Sequence, residues 1–142
     1  MGELPRDWGL PELTPANEAW FTSGALAVQR CGDCGTLQHP PEEACHVCGG
    51  SAFGVEVLAP RGKVHSYTVV HYPANPALAA SVPYTVVLVS LDDAPHIRVV
   101  GDVKDDVEIA IGMPVEAWWD ECSADDGTIL RLPRWRLSRI QG

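Results

Sequence analysis

Positive charge is scarce in this chain. Ten Lys and Arg stand against nineteen Asp and Glu, for a formal net charge of −9. Proteins that bind nucleic acid neutralise phosphates with Lys and Arg, so this balance argues against such a partner. Long apolar runs are missing too. No stretch approaches the ~18–20 unbroken apolar residues of a membrane span. The opening MGELPRDWGLPEL has neither the basic region nor the apolar core of a secretory leader. The expected address is cytoplasmic, without membrane contact, and a reducing cytosol disfavours structural disulfides. Gly-x-Ser-x-Gly, a phosphate loop and a dinucleotide fingerprint are all absent. His65 and His71 would share a strand face, but at ~3.3 Å per residue they lie roughly 20 Å apart, too far for one dyad. His96 stands alone, and Asp92-Asp93 falls in a turn, where aspartates are ordinary. With no nucleophile–base pair, the chain reads as a binding or accessory module and not as an enzyme by itself.

What is present begins with size. A length of 142 residues suits one medium domain, or a small module joined to a domain of about 90 residues. Residues 1–13, punctuated by Gly and Pro, read as an extended arm that carries Trp8 and Leu10. Thr14-Pro15 is a helix start, and the helix is expected to run to Gly24. ALAVQR then leads as a strand into a cysteine cluster. Beyond the cluster the pattern is β throughout: segments at 63–72, 84–91, 96–103, 114–121 and 127–137, separated by turn residues. Five short strands without flanking helices point to a small barrel, with the five-stranded OB-type barrel the leading choice. The expected fold is mainly β: an arm and helix at 1–28, a zinc ribbon at 29–54 and an OB-fold barrel at 55–142.

The cluster is CGDCGTLQHPPEEACHVCGG, residues 31–50. One Cys-x-x-Cys knuckle supplies two corners of a tetrahedron, and two facing knuckles supply four. Gly35 and Gly49 let the chain turn with positive φ after each pair. Cys31, Cys34, Cys45 and Cys48 are therefore the expected metal ligands, with zinc first and iron the competitor, since four thiolates suit either. A thioredoxin-like redox pair would need a βαβ context that the sequence does not offer. His39 and His46 are expected to face solvent, and the odd thiol Cys122 to fill space near a turn. Four protein ligands leave no open position for a reactant, so the metal's expected role is to hold the fold.

Trp118-Trp119 and the run Arg134-Trp135-Arg136 pose the remaining question. Neighbours on a strand point to opposite faces, so one indole of the pair should fill the barrel and the other project. Exposed Trp and Arg are enriched at interface hot spots. Four of the ten basic residues, Arg131, Arg134, Arg136 and Arg139, fall near the C-terminus, which makes that region the candidate for an anionic or acidic partner.

The order helix, cysteine ribbon, barrel, together with LAVQRCGDCGTLQHPPEEACHVCGG, GKVHSYTVVHYPANPALAASVPYTVVLVSLD and IGMPVEAWWDE…RLPRWR, resembles the DUF35 family of rubredoxin-like zinc ribbons joined to OB-folds. The likeness runs from about Thr14 to Leu137. It implies a non-catalytic subunit that binds and activates a thiolase-like, lipid-transfer-protein-type aldolase in a hetero-oligomer. The substrate would be a β-hydroxyacyl-CoA, with retro-aldol cleavage of a steroid side chain as the specific reaction. In such systems the domain also forms part of acyl-CoA hydratase subunits, so this chain is either a single-domain protein or a piece of a longer one. Trp8, Trp20, Trp119, Arg134, Trp135 and Arg136 are the candidate contacts to partner or CoA. Alternatives are an accessory subunit of an acyl-CoA thiolase or HMG-CoA synthase assembly, a single-stranded nucleic-acid-binding OB module, and an iron electron carrier.

Overall fold

The computed structural model describes residues 10–103 and 107–138. Trp8 and Arg139 lie outside these residues. The first element is a short helix, α1 (Glu18–Thr22). It is shorter than Thr14-Pro15 and Gly24 led us to expect. Thr14 and Asn17 close a turn on each other: Thr14 N–H donates to Asn17 Oδ1 at 2.7 Å, and Asn17 N–H to Thr14 Oγ1 at 3.2 Å. The helix starts only after this turn, and the chain leaves it at Gly24 with φ of 68°. So short a helix has little stability alone. It is held by burial of Trp20 and by Arg131, whose Nη1 donates to Thr22 O at 2.9 Å.

Three strands follow: β1 (Leu26–Cys31), β2 (Leu37–Gln38) and β3 (Phe53–Leu58). They form an antiparallel sheet in the order β2-β1-β3. Of the three, the sequence pattern marks only β1; β2 and β3 are differences from the expectation. This sheet takes in residues on both sides of positions 28/29 and 54/55.

The remaining strands are β4 (Arg61–Val70), β5 (Tyr84–Leu91), β6 (Arg98–Val103), β7 (Pro114–Ser123) and β8 (Ile129–Leu137). They close into a barrel in the order β4-β5-β6-β8-β7. Every pairing is antiparallel except β6 with β8, the arrangement of an OB-fold. All five segments expected from turn punctuation are there, each with ends within two or three residues. Alternation sets the inside: on β5, Val87, Val89 and Leu91 are buried while Leu88 and Ser90 are not. Val64, Val99, Val103, Val115, Ala117 and Trp135 complete the filling. Trp135 is fully buried. Gly101 makes room for it, since a Cβ there would lie 2.8 Å from Trp135 Cδ1.

Among the described residues, no helix is long and apolar enough to cross a membrane.

Candidate functional site

The four cysteines come from two matching turns. After β1, Gly35 N–H donates to Cys31 O at 2.9 Å, and Gly49 N–H makes the same bond to Cys45 O at 2.9 Å. The two glycines have φ of 77° and 75°, as the sequence predicts. The turns face each other. Cys31 Sγ lies 3.5 Å from Cys48 Sγ, and Cys34 Sγ 3.7 Å from Cys45 Sγ. All four sulfurs lie within 4.8 Å of one another. A tetrahedral ion with ~2.3 Å bonds to sulfur needs edges of about 3.8 Å, so the arrangement fits a four-thiolate metal ion. Backbone N–H groups point at sulfur, Val47 at Cys45 Sγ and Gly50 at Cys48 Sγ, each at 3.4 Å.

The thiols respond to this setting differently. The Thr36 hydroxyl and N–H hold Cys34 down to about 6. Backbone N–H groups of Cys48 and Val47 lower Cys45. Cys48 receives the Gly50 N–H, but the Cys31 and Cys34 sulfurs beside it push it up to about 12. Sulfurs this close resist carrying charge together, and a metal cation held by all four would supply the opposing charge.

Two buried glutamines that no sequence motif singles out hold the second turn in place. Gln29 and Gln38 sit opposite each other on β1 and β2. Gln38 Nε2 donates to Gln29 Oε1 at 2.7 Å. Gln29 also spans the loop backbone, donating to Glu42 O at 2.8 Å and accepting from Glu42 N–H at 2.9 Å. Gln38 donates to Ala44 O at 3.2 Å, and its Oε1 accepts from His46 N–H at 3.1 Å. Its Oε1 also lies 2.6 Å from His46 Nδ1. The loop before Cys45 is thus tied to the sheet that carries Cys31.

His46 is exposed, as expected. His39 is not: its ring lies against Trp20 with centroids 4.2 Å apart, and burial pushes its pKa down to about 4. Trp20 and His39 form one wall of a cavity of about 410 Å³ between α1, the Pro40-Pro41 loop and the barrel surface at Val100 and Leu132. Cys122 is half-buried opposite Leu130, and burial, then Asp120, raises its pKa, which suits a packing residue.

The arginine cluster is arranged otherwise than expected. Arg131 pairs with Glu121 at 3.4 Å and Arg136 with Glu116 at 3.3 Å, each directly across the β7–β8 ladder. Arg134 bonds Asp102 through Nε at 2.8 Å and Nη2 at 2.6 Å, and Asp120 through Nη1 at 2.8 Å. It also lies over the Trp118 ring, 4.9 Å from the centroid. The described arginines of the cluster are therefore neutralised within the fold. Of the adjacent indoles, Trp119 packs against the core and Trp118 faces out beneath Arg134. The alternation places Trp135 inside, so it offers no surface to a partner, and Trp20 offers little. Of the six expected contacts, Arg136 keeps the most open side chain among those described, and even that is paired.

Two family models match in tandem: the rubredoxin-like zinc ribbon domain of ChsH2 over residues 22–54 and the C-terminal OB-fold domain of ChsH2 over residues 55–120. The chain is 37% identical over 131 residues to a probable enoyl-CoA hydratase alpha subunit of Thermomonospora curvata, covering 89% of this chain and 39% of the relative. It is 33% identical over 141 residues to the 3-oxo-4,17-pregnadiene-20-carboxyl-CoA hydratase alpha subunit of Mycobacterium tuberculosis, covering 95% and 40%. The chain thus spans about two fifths of the length of these two relatives. A DUF35 domain-containing scaffold protein of Methanocaldococcus jannaschii is 33% identical over 105 residues, covering 70% of this chain and 72% of the relative. Among solved structures, a chain of an Ltp2-ChsH2(DUF35) aldolase superposes with a TM-score of 0.73 at 36% identity, covering 90% of this chain and 98% of that one.

Proposed function

Since the chain belongs to the DUF35 family, with a ChsH2-type zinc ribbon preceding an OB-fold, we propose that it is a non-catalytic subunit that binds and activates a thiolase-like aldolase. The observation that carries this reading is the likeness, across nearly all of both chains, to a chain of the Ltp2-ChsH2(DUF35) aldolase. The substrate we assign is a β-hydroxyacyl-CoA whose Cα–Cβ bond is broken by retro-aldol cleavage. The hydratase names of the longer relatives fit this step, because adding water to an enoyl-CoA gives the β-hydroxyacyl-CoA that such cleavage consumes. The pregnadiene-carboxyl-CoA in one of those names points to a steroid side chain. The metal we assign is zinc, in a structural role: the four sulfurs occupy all four corners, and catalysis belongs to the partner.

A second reading has one observation in its favour. Because the chain matches about two fifths of two hydratase alpha subunits, it also works as the domain that attaches a hydratase to the same aldolase.

Co-expression with the thiolase-like protein encoded nearest to it tests the proposal. The expected result is a stable complex that cleaves β-hydroxyacyl-CoA, with neither component active alone. Full turnover by the partner purified by itself overturns it.

A further inference from the structure

The barrel strands are not equally covered. β4 pairs with β7 only over Arg61–Lys63, while its pairing with β5 continues to Val70↔Tyr84. From His65 to Val70 the second edge of β4 has no strand beside it among the described residues, so alternate N–H and C=O groups face outward. β5 opposite this stretch stays in the barrel wall, paired with β6 from Thr85 to Ser90, so the outer half of β4 and the loop beyond it form an arm along the rim, with an open strand edge roughly 20 Å long. The loop carries a 3-10 turn at Pro76–Leu78.

The composition of this arm differs from that of the rest of the chain. In a protein of net charge −9, the stretch from Val64 to Leu91 contains no Asp, Glu, Lys or Arg. It contains all three tyrosines, Tyr67, Tyr72 and Tyr84. Tyr67 is 45% exposed, Val69 43% and Tyr72 88%. At the root of the arm, Ile111 is 71% exposed, beside the bond from Gly112 N–H to Val64 O at 2.8 Å. Exposed Tyr and Val without charge describe the core of an interface, where charged residues are depleted and tyrosine is enriched. The exposed valines of β3 contrast with this. Val55 and Val57 flank Glu56, which pairs with Arg30 at 3.6 Å.

We propose that this arm, the outer half of β4 with the loop that follows it, is the surface by which this chain docks on its thiolase-like partner, through a neutral apolar face and the open edge of β4. This rests on the accessory-subunit reading above. Charge selects that occupant over a second copy. Two arms meeting would bring two bodies of net charge −9 together, whereas a partner of lower negative charge meets the arm with no ion to desolvate.

The test uses the full chain and the same co-expressed thiolase-like protein. The double variant Val69→Lys/Tyr72→Asp puts charge on the exposed arm, and Val57→Lys is the control on β3. Affinity is read by titration calorimetry, with circular dichroism and metal content matched to wild type. Backbone hydrogen exchange at 65–72 is read with and without partner. The expected result is binding weakened ~30-fold or more in the double variant, little change in Val57→Lys, and slowed exchange along 65–72 on complex formation. If wild type binds and the double variant binds within threefold, or protection falls elsewhere, the arm assignment is overturned and the accessory-subunit reading stands. If wild type binds no thiolase-like protein, both fall. If the arm charges instead abolish self-association of the free chain, the arm pairs with its own copy and the assignment is wrong.

Discussion

Replacing Gln29 by Leu asks how far the ribbon's metal affinity depends on side chains that never touch the metal. Gln29 makes three bonds, to Gln38 Nε2, Glu42 N–H and Glu42 O, at 2.7, 2.9 and 2.8 Å. Leu matches its bulk and makes none of them. Each lost bond leaves one partner behind: Glu42 is exposed and buried Gln38 Nε2 keeps its bond to Ala44 O, so each costs about 1 kcal/mol. The sum is about 3 kcal/mol. These bonds hold the loop leading to Cys45, and in a small ribbon metal binding and folding are one event, so the loss falls on apparent metal affinity. At 1.4 kcal/mol per tenfold, zinc affinity should drop roughly 100-fold. A competition titration against a chromophoric chelator at neutral pH measures it, with circular dichroism in excess zinc confirming an intact barrel. Affinity within threefold of wild type would refute the idea that the glutamine pair positions the second cysteine turn.

Elemental analysis should find one zinc per chain in colourless protein, and Cys45→Ser should abolish it and unfold the ribbon; a red, iron-loaded protein would overturn the choice of metal. Gly101→Val places a branched side chain where a single Cβ already meets Trp135 at 2.8 Å, so urea denaturation should show a loss of ~1–3 kcal/mol, and an unchanged midpoint would mean the barrel is less tightly filled than described. His39, at about 4 in the fold against 6.5 unfolded, is held neutral while the unfolded chain takes up a proton. Its contribution is therefore whole above pH 6.5 and lost as pH falls toward 4. Between pH 7 and 5 wild type should lose about 2 kcal/mol more than His39→Phe, and parallel stability curves would contradict this.

The parts of the fold that local pattern determines were legible in the sequence. The spacing of Cys31, Cys34, Cys45 and Cys48, each pair followed by glycine, fixes two knuckles whatever lies around them. The barrel strands announce themselves because Val, Thr and Tyr runs end at Gly, Pro and Asp. What escaped depends on distant pairing. β3, interrupted by Gly54 and Glu56, becomes a strand because β1 lies beside it, and β2 is too short to show a period. The arginines looked free because their carboxylates come from other strands. Yet the register was within reach: counting outward from the Ala124–Thr128 turn sets Glu121 against Arg131 and Glu116 against Arg136. The alternation Arg134-Trp135-Arg136 likewise held the answer for Trp135. Charged neighbours on both sides can only face out, which sends the indole in.

Between Leu58, the last residue of β3, and Arg61, the first of β4, stand only Ala59 and Pro60. Ala59 N–H donates to Asp93 Oδ2 at 3.0 Å and Pro60 O accepts from Ala117 N–H at 2.8 Å, so even this joint is pinned from both sides. Ribbon and barrel therefore behave as a welded bracket and not as beads on a string. Loosening the cysteine end should be felt as misalignment at the far rim, and an engineer hoping to swap one half would have to redesign the weld along with it.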